Sequence, residues 1–132
     1  MAQREEFRVD GQSEPISHYT DAVRFGDVLF VSGIAPFDEA GKVVGGDDVV
    51  EQTRQVLENI SSILAAAGAT FADVLKVTVF LTDIGDRTLI NPVRQQYFGD
   101  SRPASTLIEV SALAKPEMKV EIEAVVGLSD RH

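Results

Sequence analysis

The chain has 132 residues, 44% of them hydrophobic and 25% charged, which suits one compact domain over 1–132 whose core needs no staples. With no cysteine and only His18 and His132 as imidazoles, there is nothing to build a disulfide, thiol nucleophile, Cys-ligated zinc or iron–sulfur centre, and little for a His-pair metal site or Ser–His–Asp triad. Twelve basic residues against twenty-one acidic ones leave a net charge of −9, a field that repels phosphate backbones and anionic lipid and argues against nucleic-acid or membrane partners.

The N-terminal Met-Ala-Gln-Arg-Glu-Glu carries no apolar signal core, and no later run is long enough to span a bilayer, so a cytoplasmic location is expected. Residues 5–9 allow a short strand. Residues 19–34 read as a hairpin: Tyr19 to Arg24, a turn at Phe25-Gly26-Asp27, then Val28-Leu29-Phe30-Val31. Ser32-Gly33 is expected to end that second strand. The 41–46 stretch and the Lys115-Pro116-Glu117 corner are loops.

Over 47–67 the apolar residues Val49, Val56, Leu57, Ile60, Ile63 and Leu64 recur at helical spacing. Asp47 or Asp48 offers an N-cap and Gly68 the residue after the C-cap, so an amphipathic helix is predicted. Residues 74–82 switch to period two, with Leu75, Val77, Val79 and Leu81 on one face and Lys76, Thr78, Phe80 and Thr82 on the other. A second helix is predicted over 87–98, with Leu89, Ile90, Val93, Tyr97 and Phe98 inward. Pro92 would interrupt it, so Asn91 is read as its N-cap and 87–90 as a separate turn. Strands at 105–111 and 118–127 complete the order ββ, α, β, α, ββ: an α+β two-layer sandwich, a mixed sheet with two helices on one face.

The uncovered face of that sheet would carry Lys76, Thr78, Phe80, Thr82, Glu109, Glu121 and Glu123. It is either solvated or buried between subunits, and Phe80 and Val125 favour burial. Glu121 and Glu123, two apart on a strand, point to one side, where a partly dry cleft could drive their pKa values apart for acid–base work; a merely polar face is the bland reading. Ser101 to Thr106 could cradle an anion or be an ordinary loop. Ser32-Gly33 could offer a hydroxyl and a backbone N–H or be a turn. Tyr19 beside His18 could stack on a ligand or be half-buried. Asp47-Asp48 looks like half a metal site, but helix capping already accounts for it.

Together these features are far more specific. Arg102-Pro103-Ala104-Ser105-Thr106-Leu107-Ile108-Glu109-Val110, followed by Val120-Glu121-Ile122-Glu123-Ala124, resembles the signature of the RidA family, also called YjgF or L-PSP endoribonuclease. The likeness continues through Leu29 to Gly33, the helix from Gln52 to Gly68, Val74 to Leu81, and Ile90-Asn91. It implies a chorismate-mutase-like fold and a homotrimer packed round a central axis, with small-molecule clefts between neighbouring subunits. It further implies hydrolytic deamination of imines or enamines to the oxo compound and ammonia, without metal or cofactor. Carried over residue by residue, Glu121 takes the catalytic water-positioning role, and Tyr19, Ser32, Gly33 and Asn91 line the substrate.

One position departs. The family's deaminases read Pro-Ala-Arg-Ser, and the arginine pairs with the substrate carboxylate; this chain reads Pro103-Ala104-Ser105-Thr106, as in an Arg-less subgroup. A bidentate charged anchor has become a neutral hydroxyl. Losing a hydrogen bond to a charged group costs about 1.5–3 kcal/mol, so Ser105, taken with Glu121 as a catalytic-site residue that helps hold the substrate, points to an altered substrate. Arg102 is the nearby cation that could compensate. The alternative is a non-catalytic trimer that binds a small metabolite, while the charge argues against nuclease or translation-inhibitor activity.

Overall fold

The structure, a computed structural model, describes residues 3–129; His132 lies outside them. The strands are β1 (Arg4–Phe7), β2 (Ala22–Phe25), β3 (Val28–Ile34), β4 (Val74–Leu81), β5 (Ala104–Glu109) and β6 (Val120–Gly127). They form one six-stranded mixed sheet in the order β1-β2-β3-β6-β4-β5. The helices α1 (Val49–Ala66) and α2 (Arg87–Phe98) cover one face, giving the two-layer α+β architecture. Only β4 and β5 run parallel; α2 is the crossover that such a pair requires.

Local chemistry accounts for the elements. β2 and β3 turn through Gly26-Asp27, with Phe25 opposite Val28 and Gly26 at φ +61°. Asp48 caps α1 by accepting from the Val50 and Glu51 amides at 2.9 and 3.4 Å. At the other end Gly68, at φ +75°, lets the Ala69 amide reach the Leu64 carbonyl at 2.8 Å and its own reach Ala65 at 3.1 Å, the two bonds of a Schellman stop. Between these caps Val56, Leu57, Ile60, Ile63 and Leu64 are buried against Leu29, Val31, Val79, Ile122 and Val126 of the sheet. Each such side chain contributes about 1.5–3 kcal/mol of burial.

Gln52 is a polar residue wholly inside this layer. Its Nε2 donates to the Gly46 and Glu117 carbonyls at 2.8 and 2.9 Å, and its Oε1 accepts from the Lys119 amide at 2.8 Å. The side chain therefore fastens the α1 approach and the β6 approach to one helix position, with its own polar groups satisfied.

Several local expectations are overturned. Ser32-Gly33 does not end β3; the strand continues to Ile34, and its register with β6 shifts between Val31 and Ile34. Leu75 is 56% exposed, because a register irregularity between Val74 and Lys76 gives the inward place to Val74. The helix α2 runs unbroken from Arg87 with Asp86 before it, so Asn91 is not a cap and Pro92 lies inside. The proline withholds a bond from the Thr88 carbonyl, and both residues are exposed, where water can serve that carbonyl. Leu89 faces solvent, not the core. Glu109 leaves the open face: it lies opposite buried Leu81, and its Oε1 accepts from the Ile84 amide at 2.9 Å.

The uncovered face carries Glu121 beside Phe80 and Phe80 beside Ile108, with Glu123 beside Thr78. Further along, Val23, Phe30 and Val125 stand in one cross-strand row. Phe30 is 54% exposed there.

Candidate functional site

The nominated residues fall into two groups. The first sits where β3 meets β6. The loop leading into β2 is strapped down by Asp21, a buried carboxylate that accepts from Arg8 Nη1 at 2.7 Å and from the Val9 amide at 2.8 Å. Arg8 Nη2 also holds the Ser13 carbonyl at 2.9 Å. Thus fixed, the loop presents two carbonyls to Ser32: its amide donates to Asp21 O at 3.0 Å and its hydroxyl to Thr20 O at 2.6 Å. The Ser32 hydroxyl proton is thereby committed, and its lone pairs remain as acceptors. Tyr19 is exposed, with its hydroxyl accepting from the Ile16 amide at 3.4 Å. Tyr19, His18 and Ser32 border a 330 Å³ hollow.

Gly33 and Glu121 decide the centre of this group. A Cβ at Gly33 would fall on Glu121 Oε1, so the carboxylate lies against bare backbone. Gly33 does not have positive φ, and its lack of a side chain serves space alone. The Glu121 carboxylate makes no side-chain hydrogen bond or ion pair among the described residues. Burial, and secondarily the charge of Glu123, holds its pKa above the ordinary carboxylate value. An unpaired carboxylate of raised pKa, in reach of solvent, is a stronger base than an ordinary carboxylate and can accept a proton from water.

The second group lies between α2 and the edge strand β5. Asn91 and Arg102 border a 280 Å³ hollow together with Arg94, Phe98 and Pro103. Arg94 Nη2 donates to Ser105 Oγ at 3.0 Å. The sequence reading overlooked Arg94. Its signal was position: three residues after Asn91, it shares that residue's helix face.

One chain does not bring the two groups together. β5 is three strands from β3, roughly 14 Å at 4.7–4.9 Å per strand. Ser105 lies opposite buried Val77, whereas Glu121 lies opposite Phe80 on the uncovered face, so they belong to opposite sides of the sheet. Among the described residues no cluster of three or more His, Cys, Asp or Glu could hold a metal, and no helix is long and apolar enough to cross a membrane.

These features define a class: α+β proteins with a six-stranded mixed sheet, two helices on one face, small surface hollows, and an unpaired carboxylate of raised pKa on the other face. The chain belongs to the Endoribonuclease L-PSP family, whose model matches residues 11–127. It is 48% identical over 113 residues to a RutC family protein of Pyrococcus horikoshii, covering 85% of this chain and 88% of that one. It is 40% identical to the 3-aminoacrylate deaminase RutC of Acinetobacter baylyi, over 88% of this chain and 91% of that one. With a 2-iminobutanoate/2-iminopropanoate deaminase of Capra hircus it shares 44% identity, over 83% and 80% of the two chains. A conserved Rid family protein of unknown function from Yersinia pestis superposes with a TM-score of 0.89 at 34% identity, covering 96% of this chain and all of that one.

Proposed function

We propose that the protein hydrolyses the imine or enamine form of an amino-acid-derived carboxylate to the oxo acid and ammonia. The observation that carries this reading is the unpaired, half-buried Glu121 carboxylate seated on Gly33. Two relatives named as deaminases of 3-aminoacrylate and of 2-imino acids supply the reaction class. Glu121 takes a proton from water as the oxygen adds to the C=N carbon, and the nitrogen gains the proton. The hydroxyl of the resulting carbinolamine then gives its proton, relayed through Glu121, to the amino nitrogen, and C=O forms as the C–N bond breaks and ammonia leaves. The sum is imine plus water giving oxo acid plus ammonia, with no change of oxidation state and no need of a cofactor.

In this reading Tyr19, Ser32 and the Gly33 backbone line the substrate beside Glu121, while Asn91, Arg102 and Ser105 come from a neighbouring subunit. Two half-sites on one chain, together with the exposed Phe30 and Ile108 of the uncovered face, support a homotrimer with shared clefts. With Ser105 in the place of the family's arginine, the favoured substrate is bulkier than the short 2-imino acids.

Imines generated in situ from alanine, leucine and phenylalanine by an amino-acid oxidase test the proposal through the rate of oxo-acid and ammonia release. Hydrolysis above the spontaneous rate, greatest for the bulkier imines, is expected. A panel with no acceleration would overturn the enzymatic reading; a compound that raises the melting temperature and is recovered unchanged would establish metabolite binding in its place.

A further inference from the structure

We propose that Arg94, projecting from α2 and braced by Ser105, is the substrate's carboxylate anchor, its guanidinium standing in for an arginine on β5. The inference rests on the deaminase reading for the identity of the substrate, but its geometry is independent of turnover.

The hydrogen bond to Ser105 occupies one of the five N–H donors of Arg94. Among the described residues Arg94 pairs with no carboxylate, although the chain has twenty-one acidic residues against twelve basic ones. Burial also lowers its pKa from the ordinary value, the mark of a guanidinium partly withdrawn from water without a counter-charge. Such a group gains most from a ligand that is anionic and planar, since its fork matches a carboxylate bidentately.

The surroundings agree. Arg94 and Asn91 border both the 280 Å³ hollow and a neighbouring one of 440 Å³. Arg102 adds a cation to the first and Arg87 to the second, and no acidic side chain borders either. A local positive field in a chain of charge −9 attracts a small anion that the molecule as a whole repels. Arg94, not Arg102, is the anchor because it alone is half-buried and held in place; Arg102 is exposed and has no side-chain partner among the described residues. Phe98 and Pro103 supply apolar wall beside the cation, so the ligand class is a 2-imino acid with a bulky apolar side chain.

The test compares 4-methyl-2-oxopentanoate with its methyl ester, which lacks the charge, by titration calorimetry on the intact protein and on Arg94→Gln, Arg94→Lys and Arg102→Gln variants. The native protein is expected to prefer the acid by roughly ten- to a hundredfold. Arg94→Gln should abolish that preference while leaving ester affinity and melting temperature within about twofold and a degree or two, Arg94→Lys should retain part of it, and Arg102→Gln most of it. An acid preference that persists in Arg94→Gln, is lost only in Arg102→Gln, or is absent from the native protein overturns the inference. Hydrolysis of the leucine-derived imine is followed in parallel. Turnover with unchanged KM in Arg94→Gln leaves the deaminase reading standing and removes this one; Arg94-dependent acid binding without turnover does the reverse.

Discussion

The Glu121 carboxylate rests where a Cβ of residue 33 would be. The contact joins a strand irregularity in β3 to the polar face of β6, and it makes residue 33 a matter of volume. Gly33→Ala forces the carboxylate aside, and because only the flexible end of the Glu121 side chain has to move, the cost falls on its placement and not on the fold. Imine hydrolysis by Gly33→Ala is expected to fall by roughly a hundredfold, with the melting temperature little changed; full activity would show that Glu121 does not need this seat.

The proposed role of Glu121 predicts a pH dependence. Its pKa is raised by burial and by Glu123, so with Glu121 as the base kcat/KM is expected to fall as pH drops through a value above its ordinary one. Glu123→Gln removes the like charge and should move the acidic limb of the profile to lower pH. A limb that stays in place assigns it to another group.

The same shift has a stability consequence of opposite sense. The folded state holds the Glu121 proton more tightly than the unfolded chain does, so ionisation of Glu121 subtracts stability as pH rises through its folded pKa. Glu121→Gln should therefore be more stable than the native protein at pH 7 and lose that advantage near pH 4. Its kcat should fall roughly 10²- to 10⁴-fold, the usual scale for removing a general base. Thermal melts at the two pH values and single-substrate kinetics provide the check.

Gln52 carries a structural prediction. Gln52→Leu leaves the Gly46 and Glu117 carbonyls and the Lys119 amide without their partner. At about 1–3 kcal/mol for a buried unsatisfied group, and with partial rescue by water, a loss of roughly 2–4 kcal/mol is expected in urea unfolding.

The uncovered sheet face predicts assembly. Light scattering at micromolar concentration should give three times the monomer mass, and Phe30→Glu, placing a charge in the Val23–Phe30–Val125 row, should shift the protein toward monomer and abolish imine hydrolysis. A native monomer that hydrolyses imines would remove the shared-cleft reading.

Much of the fold was legible because its signals are local. Asp48, the 3.6-residue spacing of Val56 to Leu64 and Gly68 delimit α1 without help from the rest of the chain, and Val120 to Val126 alternate as a half-buried strand must. The errors lie where tertiary packing outweighs local preference. Leu75 reads as core by alternation, but the irregularity beside it gives that place to Val74. Pro92 reads as a helix start, yet Ile90 and Val93 are buried on both sides of it, and their packing carries α2 through the missing bond.

The candidate site divides in the same way. Composition by itself removed thiol and disulfide chemistry and made histidine-based chemistry scarce. Period two by itself put Glu121 and Glu123 on one face. What the chain order could not contain is which side chains meet. That Glu121 lies over Gly33, that Ser105 belongs to the other side of the sheet, and that Arg94 reaches Ser105 from a helix are decided by strand order and by side-chain reach. Alternation is a local property of a strand; register and the approach of two elements are properties of the packed whole. The arginine absent from position 105 could be read in the chain, but that Arg94 meets Ser105 could be seen only in the fold.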